Sequence, residues 1–353
     1  MKPVSIILIL TIFFSPCCLF AQKKMMPMPV VEVLTKDVKT NIRGLSAVND
    51  NVVWVSGSNG TVGVSTDGGK SWKWKVVKGF EKTDFRDIEA FDGATAVIMA
   101  VGEPAYILKT NDGGSTWKVV YENKAKGMFL DAMEFWNEQA GIVIGDPTNG
   151  KFFIARTFSG GDSWKEIPDN FKPKADSGEA CFAASGTNIR VLDRDEAIFV
   201  SGGKRSRVFI RDAAIDLPIV QGKESTGANS IAVLDQSPLK GGNQMIVVGG
   251  DFSNDTSSAN NCFFSSNRGK TWSPPKSGPH GYKSCVEYLN KKELVTCGTT
   301  SVDYSADRGN TWTLISVEGF HVCRKAKNGT AVFFAGPNGK VGILKYYGKE
   351  MKH

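Results

Sequence analysis

The sequence predicts an all-β fold, a seven-bladed β-propeller of four-stranded antiparallel blades, on three observations. An eight-residue turn motif recurs, seven β-rich runs each end in glycine, and the last repeat lacks a strand that the start of the domain can supply. The motif occurs at Ser65 to Trp72 (STDGGKSW), Thr110 to Trp117 (TNDGGSTW), Thr157 to Trp164 (TFSGGDSW), Ser265 to Trp272 (SSNRGKTW) and Ser305 to Trp312 (SADRGNTW). Its tryptophans are spaced by 45, 47, 108 and 40 residues, and 108 is twice 54, so the long interval hides one degenerate copy. Arg211 and Asp212 to Val220 fill that interval without the motif. Because β-rich runs flank each copy, the motif reads as a hairpin turn. Asp67, Asp112 and Asp307 accept hydrogen bonds from turn amides, Gly69 and its equivalents supply positive φ, and Trp72, Trp117, Trp164, Trp272 and Trp312 fill seams between sheets.

The second marker is a glycine closing a β-rich run, at Gly57, Gly102, Gly145, Gly202, Gly249, Gly298 and Gly336, which makes seven units. Each unit reads as four strands, the second being Phe85 to Phe91, Ala94 to Val101, Ala105 to Thr110 and Trp117 to Tyr121. The last unit has only Val322 to Lys325, Thr330 to Ala335 and Lys340 to Lys345, and Val30 to Thr35 is the available fourth strand. Closing the ring this way removes the exposed edges of an open array.

Residues 1–21 read as an export signal: Lys2, an apolar run from Val4 to Phe14, and small residues up to a cleavage site after Ala21. That leaves one propeller domain over residues 22–348, about 47 residues per blade, a short tail over 349–353, and a periplasmic or secreted protein. No run reaches the ~20 apolar residues of a transmembrane helix. Phe14-Ser15-Pro16 is a poor lipid-attachment triplet before Cys17 or Cys18. Removing the signal lowers the net charge from +7 to +6 by deleting Lys2, and with no Lys/Arg block nucleic acid is not an expected partner. Five cysteines then remain, Cys181, Cys262, Cys285, Cys297 and Cys323, so at least one thiol stays unpaired within the chain. Cys285 and Cys297 can face each other across a hairpin, although small buried hydrophobes are the plainer reading. Three histidines, and the lack of any Gly-x-Gly-x-x-Gly, Walker or His-Glu-x-x-His motif, leave no metal or cofactor to expect.

The five motif copies resemble the Asp boxes of the bacterial neuraminidase repeat. Arg43-Gly44-Leu45, Trp54-Val55-Ser56-Gly57 and Thr66 to Trp72 resemble the photosystem II stability and assembly factor family, and the likeness extends over nearly the whole chain after the signal. Ser159 and Asn267 depart from the pattern by replacing Asp, and the fourth unit has no box. The resemblance implies a non-catalytic scaffold that docks a client polypeptide through an arginine-bearing patch. Arg43 and Arg86 fit that patch as bidentate carboxylate donors. Nothing in the sequence points to a photosynthetic host, so the photosystem client does not carry over.

In a propeller the functional face is sought at the central channel, where the innermost strands begin. Aligning those strands puts Arg43, Arg86, Leu130, Glu179, Asn229, Lys283 and His321 in one column, with Gly44, Asp87, Asp131, Ala180, Ser230, Ser284 and Val322 in the next. The candidate surface is therefore Arg43, Arg86, Asp87, Asp131, Glu179, Asn229, Lys283 and His321, and it would take a client protein or a glycan on a monomer. A solvated channel wall would carry the same polar column. Arg205-Ser206-Arg207 reads as a surface cluster, and His280 beside Tyr282 and Cys285 reads as packing. The rival is a sialidase, with Arg43, Arg86 and Arg324 clamping a carboxylate, Tyr282 and Glu179 as the nucleophile pair and Asp87 as the acid. Against it stand a missing Phe-Arg-Ile-Pro signature, to which Asp84-Phe85-Arg86-Asp87 is the nearest approach, and a seven-unit rather than six-unit ring.

Overall fold

Short strands rich in Val, Ile and Phe, separated by Gly and Asp turns, pair as successive hairpins, and the computed structural model arranges them radially. It describes residues 28–347 apart from 37, 194 and 235–240. The predicted signal over 1–21 and tail over 349–353 lie outside the described residues. From the channel outward, blade 1 is Ile42–Ala47, Val53–Gly57, Thr61–Ser65 and Lys73–Val76, and blade 2 is Phe85–Ala90, Ala96–Ala100, Ala105–Thr110 and Lys118–Asn123. Blade 3 is Leu130–Phe135, Gly141–Thr148, Lys151–Thr157 and Lys165–Glu166, and blade 4 is Ile189–Val191, Ala197–Val200, Arg207–Ile210 and Ala213–Asp216. In blade 5, Thr226–Val233, Met245–Asp251 and Cys262–Ser265 are completed only by a bridge from Phe264 to Ser273. Blade 6 is Cys285–Tyr288, Leu294–Cys297, Val302–Ser305 and Thr313–Ser316.

Blade 7 closes the ring as the sequence predicts: Val322–Lys325, Val332–Ala335 and Val341–Tyr346 take Pro29–Thr35 as their outer strand, with Val30 opposite Lys345. Its inner strand packs against that of blade 1, and the His321 Nδ1–H donates to the Ile42 carbonyl at 2.9 Å. Central strands such as Val53–Gly57 and Ala96–Ala100 are buried at every residue because both faces stack on neighbouring blades, so they lack polar alternation. The outer strand Lys73–Val76 is half exposed.

The five motif turns share one geometry. The first hydroxyl accepts the amide of the second glycine position, from Gly69 to Ser65 at 2.8 Å, Gly114 to Thr110 at 3.1 Å, Gly161 to Thr157 at 3.0 Å, Gly269 to Ser265 at 2.9 Å and Gly309 to Ser305 at 2.9 Å. Asp67 Oδ1 then accepts the Ser71 amide, and Ser71, aided by Ser65, holds its carboxyl down at about 2. Where Asp is replaced, Ser159 Oγ and Asn267 Oδ1 accept the same amide, from Ser163 at 3.1 Å and Thr271 at 3.0 Å. The turn therefore needs an acceptor rather than a charge. Trp117 packs among residues of blades 1 and 2, Trp164 between blades 2 and 3, Trp272 between 4 and 5, and Trp312 between 5 and 6. Each motif tryptophan thus seals the seam to the preceding blade. Blade 4 replaces the motif with a two-residue turn in which Arg211 takes φ 52°.

The fourth unit corrects the predicted alignment. Its inner strand is Ile189–Val191, not the run at Glu179; Glu179–Ala180 instead pairs with Gly202–Gly203, beyond the end of the second strand of the blade. A strand-like run of Glu and small residues precedes the true strand, and spacing alone cannot separate the two.

Candidate functional site

The inner strands of blades 1, 2, 3 and 5 skip one residue in register, at Arg43, Arg86, Asp131 and Asn229. A bulge leaves its extra residue outside the ladder and re-aims the side chain. These four are therefore true counterparts, so the predicted column is one residue early at Leu130. It is also early at Lys283. Ser284, like His321, donates its amide to the residue before the closing glycine, to the Cys297 carbonyl at 2.9 Å and the Ala335 carbonyl at 2.8 Å respectively.

The channel wall is neither open nor merely solvated, because the segment from Cys181 to Asn188 crosses it. Arg43 Nη1 donates to the Ala184 carbonyl at 3.1 Å, Arg324 Nη2 to the Gly186 carbonyl at 3.0 Å, Ser185 Oγ to the Ser284 carbonyl at 2.7 Å and Thr187 Oγ1 to Ser230 Oγ at 2.7 Å. Blades 1, 7, 6 and 5 thus all hold this one strap. Its residues are small because the axis is narrow. A Cβ at Gly186 would lie 2.3 Å from an Asp87 oxygen, and its φ of 64° independently favours glycine.

The remaining predicted residues are buried. Asp87 is buried and accepts amides from Ile88 at 2.9 Å and, across the seam, Met133 at 2.7 Å. Ser46 and Ser230 tie their blades to the next in the same way, through Ala90 and Val286 at 3.0 Å each. Burial pushes Asp87 up to about 8, and pushes Asp131 well above the carboxylate range, with Asp146 as a second charge beside it. Asp146 itself is raised to about 6 by burial. Asn229 accepts the Tyr282 hydroxyl at 2.7 Å, while Lys283 is wholly buried against Ser301 and Asp303, the latter at 2.6 Å. Burial and the nearby Arg43 lower His321 to about 4. Glu179 is ion-paired with Arg207, whose Nε donates to Oε1 at 2.9 Å; Arg207 is buried, contrary to the predicted surface cluster, while Arg205 is half-buried between Asp176 and Asp216.

What reaches the rim is Arg43 and Arg86. Arg86 Nε contacts Asp84 at 2.7 Å, with both side chains 30% exposed. Arg43 forms no ion pair among the described residues, and burial followed by the charge of Arg86 lowers its pKa. A partly desolvated guanidinium beside a second cation is a site that a carboxylate would relieve. Next to it, Tyr282 meets Phe252 edge-on at 6.4 Å, and Phe252, which is 49% exposed, meets Phe182 at 5.7 Å. The two phenylalanines were not legible as site residues, since neither belongs to a repeat column; the faint signal was an aromatic directly after the loop residue Asp251.

The groups a sialidase would need are not gathered. Tyr282 is bonded to Asn229 rather than Glu179, and Arg324 lines a separate cavity of about 420 Å³ at the other mouth, together with Glu89, Glu134, Arg190 and Glu287. There Arg190 pairs with Glu287 at 3.1 Å and Glu134 at 3.7 Å, and burial raises both carboxyls. His280 is bonded to Asp303 through Nδ1 at 2.6 Å. Among the described residues, Cys285, Cys297 and Cys323 form a group able to hold a metal ion.

No protein-family model and no curated protein matches the chain. Solved structures do. One described as YCF48 bound to D1 peptide is 16% identical, with a TM-score of 0.60, covering 89% of this chain and 94% of its own. YCF48 from Cyanidioschyzon merolae is 15% identical, with a TM-score of 0.62 over 89% and 98% of the two chains. The WD40 β-propeller domain of Doa1 is 14% identical, with a TM-score of 0.62 over 91% and 98%. At these identities the likeness is one of fold, and the chain is a seven-bladed β-propeller.

Proposed function

We propose that this propeller is a non-catalytic scaffold that binds a client polypeptide on the rim of its channel, with Arg43 and Arg86 receiving a client carboxylate and Phe182 and Phe252 an adjoining apolar side chain. The observation that carries the reading is the unneutralised Arg43 beside Arg86, next to an exposed aromatic, above a channel that the chain has itself closed. The likeness in fold to the YCF48 structure with a D1 peptide bound supports it, since that propeller takes a polypeptide. The resemblance to assembly factors points the same way. The protein acts outside the cytoplasm in this reading, on the strength of the signal read over residues 1–21; a mature N-terminus at Gln22 supports export, and an intact Met1 contradicts it.

The test is selection of binders from a displayed random-peptide library on the immobilised protein, followed by affinity measurement against the Arg43→Ala, Arg86→Ala double variant. Each charge-assisted pair contributes about 1.5–3 kcal/mol, so selected peptides should carry acidic groups and bind the variant about tenfold or more weakly. Enrichment of peptides that bind both proteins alike would sink the assignment.

A further inference from the structure

Cys285, Cys297 and Cys323 bring their sulfurs within 4.8 Å of one another. Cys285 and Cys297 are opposed across the inner hairpin of blade 6, and Cys323 comes from the inner strand of blade 7, its Sγ 3.6 Å from that of Cys285. All three are 0% exposed, within a cluster that includes Leu45, Val302, Phe320, Val322 and Phe334. The sequence could not show the group, because its third member is a blade away.

Three sulfurs around one ion at a metal–sulfur distance of about 2.3 Å stand about 4.0 Å apart in a trigonal plane, within the observed range. No His, Asp or Glu joins the group among the described residues, and its surroundings are largely apolar, with Arg324 and Lys283 as nearby cations. Zinc usually takes four ligands, and calcium or magnesium takes oxygen. An all-sulfur, three-ligand, apolar site suits a soft monovalent ion. We propose that Cys285, Cys297 and Cys323 form a trigonal thiolate site for Cu(I), joining blade 6 to blade 7. Copper enters already as Cu(I), so no electron is transferred. Three S–H bonds break, three Cu–S bonds form, and the thiol protons leave to solvent. The resulting negative charge faces Arg324, whose cation acts on the Cys285 sulfur.

The reduced full-length chain is titrated anaerobically with Cu(I) against a chromogenic chelator, both as folded protein and during refolding, because the site is closed to solvent. One tightly held ion per chain is expected, with three sulfurs in its X-ray absorption shell. Cys285→Ser, Cys297→Ser and Cys323→Ser should each weaken binding by on the order of 100-fold, while Cys181→Ser and Cys262→Ser leave it unchanged. If a serine variant fails to fold, the sulfur count in the parent decides. The proposal is overturned by no stoichiometric binding in either format, by a shell with fewer than three sulfurs, by retention in the Cys323→Ser variant, or by a native disulfide within the trio.

Discussion

His321 shows how one side chain serves two blades. Its Nδ1–H satisfies the Ile42 carbonyl at the closing seam, and burial together with Arg43 holds the ring neutral, with a pKa near 4 against an ordinary 6.5. The sign follows from which state takes up the proton. Between pH 6.5 and 4 the unfolded chain protonates this imidazole and the folded chain does not, so its contribution is present above 6.5 and lost as the pH falls toward 4. The parent should therefore lose stability relative to His321→Asn by about 3 kcal/mol between pH 7 and pH 4, measured by denaturant unfolding at each pH. A constant difference would show that the ring is not held neutral by burial. At this scale the sequence was only partly legible. It marked Arg43 and Arg86 because their column is polar, but it slipped at Leu130, where a bulge adds one residue that leaves no trace in spacing, and at Lys283, where the true counterpart Ser284 lies one residue on without a bulge. It missed the strap over 181–188 because Ala183, Ala184, Ser185 and Gly186 look like any loop until the channel they fill is seen.

At the scale of elements, the motif turns are legible because one physical task is repeated. Each has a hydroxyl, an acceptor, a left-handed glycine and an indole, and the structure uses the hydroxyl and the acceptor alike even where Ser159 or Asn267 replaces Asp. The indole packs in the seam between blades. Trp164 is 9% exposed and meets Phe135 edge-on at 5.7 Å in the seam between blades 2 and 3. Trp164→Ala should therefore cost about 3–5 kcal/mol, read from the denaturation midpoint. A loss below about 1 kcal/mol, the level of an exposed side chain, would show that the seam holds without it. The fourth blade is the least legible element for the converse reason: with no motif, only Gly202 marks it, and the strand-like run at Glu179–Ala180, which pairs with Gly202–Gly203, precedes the true inner strand.

For the whole molecule, the ring could be read from counting: seven glycine-terminated runs, one missing strand, and one spare strand at the other end, which the structure joins through Val30 and Lys345. Counting says nothing about the channel. Closure by the strap leaves two separate surfaces, a rim carrying Arg43, Arg86, Phe182 and Phe252, and an opposite mouth carrying Glu134, Arg190, Glu287 and Arg324. Recognition at the rim and not at the far mouth is the central claim. Hydrogen exchange of the propeller with and without a selected acidic peptide tests it most directly. Protection confined to the segments around Arg43, Asp84 to Asp87, Cys181 to Ala184 and Asp251 to Asn254 is the expected result. Protection around Glu134 to Trp136, Glu287 to Asn290 and Arg324 to Lys327 instead would place the client on the other face and contradict it.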